Sequence, residues 1–173
     1  MEQIEDITNY LCPAPDIYTG GQPTPGEIAA LGQAGFQIVI NLAMDNSPDA
    51  LPDEQELVQE AGMAYVHIPV VWEAPAQADL LKFFTFFHPY RAFKTFTHCA
   101  LNMRVSAFVF LYRVIVEKEP VETCQPALLK IWQPNEIWQK FIDDMLRQVK
   151  PPEGNPDWQF DWQPGQPPRN LPY

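Results

Sequence analysis

Apolar residues run almost unbroken through Phe36-Gln37-Ile38-Val39-Ile40-Asn41-Leu42 and again across residues 64–71, the pattern of strands covered on both faces. Residues 94–98 alternate polar and apolar, with two Thr and one Phe, and predict a short strand. Ile17-Tyr18-Thr19 predicts another, the first in the chain, stopped by Gly20-Gly21. The stretches between them change to a period of three and four. Thr24-Pro25-Gly26-Glu27 is a helix start, with Thr as N-cap, Pro at the first helical position and Glu completing a capping box. Ile28, Leu31 and Ala34 give that helix its inner face, and Gly35 closes it. Pro52-Asp53-Glu54-Gln55-Glu56 opens a second helix that ends before Gly62, and residues 78–87 form a third with Leu80, Leu81, Phe84 and Phe87 inward. From Arg104, the positions Val105, Phe108, Val109, Tyr112 and Val116 trace one face of an amphipathic helix. Two more helical patches cover residues 122–132 and 135–149, the latter carrying Trp138, Phe141, Ile142, Met145 and Leu146.

Strand and helix thus alternate at spacings too long for hairpins, which predicts βαβ units. The expected fold is a single α/β domain over residues 1–149, its central, mainly parallel sheet flanked by helices. Residues 44–51, containing Asp45-Asn46-Ser47-Pro48, read as loop. From Lys150 the composition shifts to Pro, Gly, Gln, Asp and Trp, which cannot sustain a helix. Trp158 and Trp162 predict that this tail, 150–173, packs on the domain in places or stays partly disordered. There is no internal repeat.

The 173 residues are enough for one well-filled core. Eleven basic against twenty-two acidic side chains give a net charge of −11, which argues against nucleic acid or an anionic membrane face as partner. Any anion site must therefore make its positive potential locally. The three cysteines, 12, 99 and 124, lack metal-ligand spacing, and an odd count is no disulfide framework. A reducing cytoplasm is the expected compartment. The acidic N-terminus does not have the order of a signal peptide, and no apolar run has the length of a membrane span.

One stretch concentrates the chemistry. The strand at 94–98 ends at His98-Cys99, a tight loop of Ala100, Leu101, Asn102 and Met103 follows, and Arg104 opens the helix. A loop feeding a helix N-terminus turns free N–H groups toward one spot and favours an anion there. A Cys held in that field loses its proton more easily, and a planar guanidinium suits a tetrahedral oxyanion. From the residues alone, Cys99 is either a buried hydrophobe at a strand end or a reactive thiol. Arg104, misplaced at a helix start unless an anion faces it, favours the second. His67 and His88 lack ligand-like companions, Cys12 and Cys124 read as structural, and Arg113 reads as a solvated surface cation.

His-Cys, a short loop, Arg and then Ser106 at the start of an apolar helix resembles the signature of the cysteine-dependent protein tyrosine and dual-specificity phosphatases. The resemblance runs from Ile7 to Gln148 through Tyr18-Thr19-Gly20-Gly21-Gln22-Pro23-Thr24, Val39-Ile40-Asn41-Leu42 and His67-Ile68-Pro69-Val70. It is nearest to a bacterial phosphatase-like subfamily, some members of which are fused to metallo-β-lactamase-fold hydrolases. The family signature has five residues between Cys and Arg; here there are four, and Asn102 stands where the loop Gly is usual.

The resemblance implies a dual-specificity phosphatase-like fold, no cofactor and no metal, and hydrolysis of a phosphomonoester through a cysteinyl-phosphate. Cys99 is then the nucleophile, and Arg104 with the N–H groups of Ala100, Leu101, Asn102 and Met103 forms the phosphate cradle. His98 orients the loop, and Ser106 helps the thiol leave. The family takes its general acid, an Asp, from the loop after the strand at 64–71. That loop here reads Val70-Val71-Trp72-Glu73-Ala74-Pro75, so Glu73 is the substitute, against its reading as a plain surface Glu. Trp72 is pocket wall or core. The substrate would be a phosphoprotein or a phosphorylated small molecule. The shortened loop also resembles that of rhodanese-type sulfurtransferases, in which the same Cys carries a persulfide. A third alternative is a binding module without turnover, with Trp132, Trp138, Trp158 and Trp162 facing a partner protein.

Overall fold

The computed structural model describes residues 3–149. Five strands form one sheet in the order β1-β2-β5-β3-β4: β1 (Leu11–Ala14), β2 (Ile17–Gly20), β3 (Ile38–Asn41), β4 (Ala64–His67) and β5 (Thr95–His98). All neighbours pair in parallel except the antiparallel edge hairpin β1–β2. The edge strand β1 escapes the sequence pattern because Pro13 breaks its alternation and Cys12 faces solvent. Its exposure also corrects the reading of Cys12 as a structural thiol.

Six helices cover the sheet: α1 (Pro25–Gln33), α2 (Glu54–Glu60), α3 (Gln77–Tyr90), α4 (Met103–Ile115), α5 (Val121–Ile131) and α6 (Glu136–Gln148). Thr24 caps α1 with Glu27 in a reciprocal capping box, as its sequence predicts. Gly35 and Gly62 take the positive φ that stops α1 and α2. Ala34 is exposed, so the α1 inner face is Ile28 and Leu31 alone. In α3 the helix continues through Pro89, and Phe83 rather than Leu81 is fully buried.

Side-chain alternation divides the interior into two cores. Val39 and Phe96 face α1 and α2 with Ile28, Leu31, Phe36 and Val58. Ile38 and Ile40 face the larger core with residues of α3, α4, α5 and α6. The helix α4 lies within that larger core and is buried nearly all round, from Arg104 through Tyr112 to Ile115. The amphipathic expectation for α4 is therefore corrected, because helices on both flanks cover the face that its polar residues suggested was wet. Arg113 is likewise no surface cation. It is 4% exposed, donates to both carboxylate oxygens of Glu119 and to the Pro13 carbonyl, and ties the end of α4 to β1. No helix among the described residues is long and apolar enough to cross a membrane.

Candidate active site

The parallel register aligns Gly20, His98, Asn41 and His67 in one row at the carboxyl ends of their strands. That edge is where open α/β sheets bind ligands. Alternation turns His98 toward the α1–α2 side, so Cys99, one residue on, faces the side of α4. The Cys99 loop is then held from outside by the preceding chain. Gln22 N–H donates to the Ala100 carbonyl at 3.0 Å, and Asn9 Nδ2 donates to the Leu101 carbonyl at 3.1 Å. A planar trans peptide points its N–H opposite its C=O, so drawing the Ala100 carbonyl outward sends the Leu101 N–H the other way. Gly21 makes the close approach feasible: a Cβ there would sit 2.6 Å from the Ala100 oxygen.

Asn102 adopts the left-handed conformation, φ 65°, that its place in the loop leads one to expect. Its side chain donates to the Asn9 carbonyl and to Thr19 Oγ1, and makes no cap for α4. The first N–H groups of α4 thus lack a side-chain partner beside Cys99.

A cavity of about 430 Å³ opens at this point. Cys99, Arg104 and Glu73 all line it, with Ala100, Leu101 and Met103 of the loop. The remaining walls are Met44, Asn46, Ser47 and Pro48 on one side and Val71 and Trp72 on the other. Arg104 is 5% exposed and is held by neutral acceptors, the Val70 carbonyl at 2.8 Å and Ser47 Oγ at 3.2 Å. The segment bearing Glu73 is anchored by an aromatic cluster: Trp72 packs on Trp132 and Trp138, and Trp138 Nε1 donates to the Trp72 carbonyl. Trp72 is therefore both pocket wall and core. Trp132 and Trp138 pack inside rather than forming a partner surface; Trp158 and Trp162 lie outside the described residues, as does the 150–173 tail.

Behind the loop, His98 is fully buried, with Nε2 2.5 Å from Glu54 Oε1 and Nδ1 3.3 Å from the Cys99 carbonyl. Burial by itself would raise the Glu54 carboxyl, but the charge and hydrogen bond of His98, helped by Gln22 and His67, hold it below its ordinary value. Ser106 does not join the site. Its hydroxyl donates to the Met103 carbonyl and accepts from Trp132 Nε1, and it does not line the cavity. His67 and His88 are engaged by the Ala43 carbonyl and the Tyr112 hydroxyl. Among the described residues no cluster of His, Cys, Asp and Glu is placed to hold a metal.

Sequence reasoning missed Ser47, Asn46 and Glu54. The signal for the first two was available: residues 44–51 follow the carboxyl end of β3, and such loops build the site in parallel sheets. Glu54 carried no signal, since it reads as one of several acidic residues opening a helix.

Residues 6–140 match the model of a family described as a DSP-PTPase phosphatase fused to NAD+ kinase. The fusion partner in that description differs from the hydrolase fusion of the resembling subfamily. Among solved structures, a DUF442 protein from Shewanella putrefaciens CN-32, which carries the name of a phosphatase, is 33% identical. The match covers 85% of this chain and 97% of that one, with a TM-score of 0.75. The catalytic core of the PP-IP phosphatase SIW14 from S. cerevisiae, in complex with citrate, shares the fold at 13% identity and a TM-score of 0.64, over 79% and 85% of the two chains. TpbA of P. aeruginosa, in complex with phosphotyrosine, does so at 15% identity and 0.58, over 74% and 75%. No curated protein matches. The chain belongs to the cysteine-dependent, dual-specificity-type phosphatase family.

Proposed function

We propose that this protein hydrolyses a phosphomonoester on Cys99. The observation that supports this reading best is Arg104: a buried guanidinium lining the same cavity as a thiol, with no carboxylate partner in the described structure. A buried cation with neutral neighbours is costly, and an anion in the cavity relieves that cost. Phosphotyrosine and citrate, bound by two structural neighbours, are such anions.

In the proposed reaction Cys99 Sγ attacks phosphorus as the ester P–O bond breaks. Arg104 and the N–H groups of Ala100, Leu101, Asn102 and Met103 hold the equatorial oxygens. Glu73 gives its proton to the departing oxygen. Water then attacks phosphorus, Glu73 takes back a proton, and the S–P bond breaks to return the thiolate and release phosphate. His98 keeps the loop in place. The substrate is a phosphoprotein or a small phosphate ester, met in the cytoplasm.

Turnover of a small aryl phosphate tests the reading. It should vanish in Cys99→Ser, and Glu73→Gln should slow poor leaving groups more than good ones, since only the former need the proton. A folded protein with no phosphate release defeats it.

A second reading has one observation in its favour. With α4 starting at Met103, only Ala100, Leu101 and Asn102 separate Cys99 from the helix, a small cradle. Persulfide transfer suits it: Cys99 thiolate takes the outer sulfur of thiosulfate and sulfite leaves. A gain of about 32 Da on Cys99 in intact mass, indifferent to Glu73→Gln, would select this chemistry. If Cys99 performs neither reaction, the domain binds anions without turnover.

A further inference from the structure

We infer that Glu54 is a positioning residue for the Cys99 loop: its carboxylate holds the His98 ring with a proton on each nitrogen, and that ring fixes the Cys99 carbonyl and places a positive charge behind the loop. The inference rests on the reading of Cys99 as a reactive thiol, and on neither choice of substrate.

The protonation follows from what each atom faces. A carbonyl oxygen only accepts, so His98 Nδ1 must donate to Cys99 O. Nε2 faces Glu54 Oε1 at 2.5 Å. The other carboxylate oxygen, Oε2, receives Gln22 Nε2 at 3.0 Å and Asn41 Nδ2 at 3.3 Å. Both amides are oriented by independent partners. Asn41 Oδ1 accepts from the Ala43 N–H, and Gln22 Nε2 also donates to the Pro23 carbonyl, so each must turn N–H toward Glu54. A carboxyl that receives two amide N–H groups on one oxygen and is held below its ordinary value is an anion, and an anion at 2.5 Å calls for N–H on Nε2.

The pair is buried, His98 0% and Glu54 3% exposed, with Glu54 at the wall of a second cavity beside Tyr65 and His67. Neither lines the cavity that Cys99 lines, so both act through the loop and not on substrate. The other groups facing the pair are Tyr65 of β4, reached through Asn41, and His67 of β4, which stands 3.8 Å from Asp45. On the cavity side, Cys99 shares its walls with Arg104 and Glu73. Glu54 comes from the first turn of α2, so this helix is coupled to the end of β5, 44 residues away, and through it to the loop.

Two measurements test the role. The first is 15N NMR of the wild-type histidine rings, only three in number. In the folded protein both His98 nitrogens should show a directly bonded proton. A ring with one bare nitrogen overturns the inference without any variant. The second is the pH dependence of Cys99 alkylation by iodoacetamide, in a Cys12→Ser background because Cys12 is exposed. Glu54→Gln should move the midpoint up by about one pH unit, and Glu54→Asp should recover part of the shift. An unmoved midpoint in a Glu54→Gln protein with a cooperative thermal transition overturns it. An aryl phosphate left intact, with the alkylation shift present, defeats the phosphatase reading and supports this one.

Discussion

Helix α4 carries two buried arginines at its opposite ends, and they are solved differently. Arg113 has its counter-charge built in: Glu119 takes two of its N–H groups, at 2.8 and 2.7 Å, and the Pro13 carbonyl takes a third. The ion pair raises the Arg113 guanidinium's affinity for its proton and lowers the Glu119 carboxyl, chiefly through their hydrogen bonds. Arg104 is as deeply buried, but its acceptors are a carbonyl and a hydroxyl, and neither carries charge. Neutral acceptors fix the direction of the guanidinium and leave its field unspent. One arginine is therefore neutralised within the fold, and the other is not. Burial alone does not separate a functional cation from a structural one; the charge of its partners does.

The strongest way to break this contrast is Arg104→Lys, which keeps the charge and loses the planar fork. Affinity for phosphate or vanadate, read by titration, should fall about 10- to 100-fold, the worth of one or two charge-assisted hydrogen bonds. Equal affinity in variant and wild type would mean that the cradle is misassigned. The melting temperature should change little, since no carboxylate is stranded. Arg113→Met should show the reverse. Anion binding should survive, while chemical denaturation shows a loss of about 2 kcal/mol. That is less than the 3–5 kcal/mol for breaking a fully buried pair, because Glu119 keeps part of its hydration. A variant that loses anion binding with its stability intact would erase the distinction.

Acid sharpens the contrast further, with the smallest effect. Glu119 titrates below its ordinary value in the fold, so its contribution is complete above the unfolded carboxylate pKa of about 4.3 and is lost as pH falls through the folded one. The stability gap between Arg113→Met and wild type should therefore narrow below about pH 4.3. Glu54 is depressed in the same direction and adds to acid sensitivity in both proteins, so it cancels from the gap. A gap that is flat down to pH 3 would remove Glu119 as the partner that matters.

Much of this architecture was legible where a feature is local. The Thr24 capping box, the left-handed stops at Gly35 and Gly62, and the buried run of β3 follow from residues within one turn or strand of each other. Asn102 at the loop's left-handed position belongs with them. What escaped is long-range. Periodicity showed one apolar stripe on α4 and could not show that neighbours close over the other side, so Arg113 read as wet. Ser106 likewise lies only two residues after Arg104, yet Trp132, 26 residues on, claims its hydroxyl. Glu54 meets His98 across 44 residues, and Ser47 meets Arg104 across 57. Such pairs have no period to betray them. The strand, loop and helix start around Cys99 were visible because they are contiguous, and the side chains packed behind the loop were not.

The tryptophan cluster has an optical consequence. Trp72, Trp132 and Trp138 lie with ring centroids 5.2–6.1 Å apart, and Trp72 is also a wall of the Cys99 cavity. Indole emission depends on local polarity and on nearby quenchers, so an oxyanion entering beside Trp72 should alter it with no label attached. Titrating vanadate should give a saturable change in intrinsic fluorescence that Trp72→Phe largely silences. The protein thus carries its own reporter of occupancy at the wall of the site, and the same signal would time arrival and departure in a stopped-flow trace.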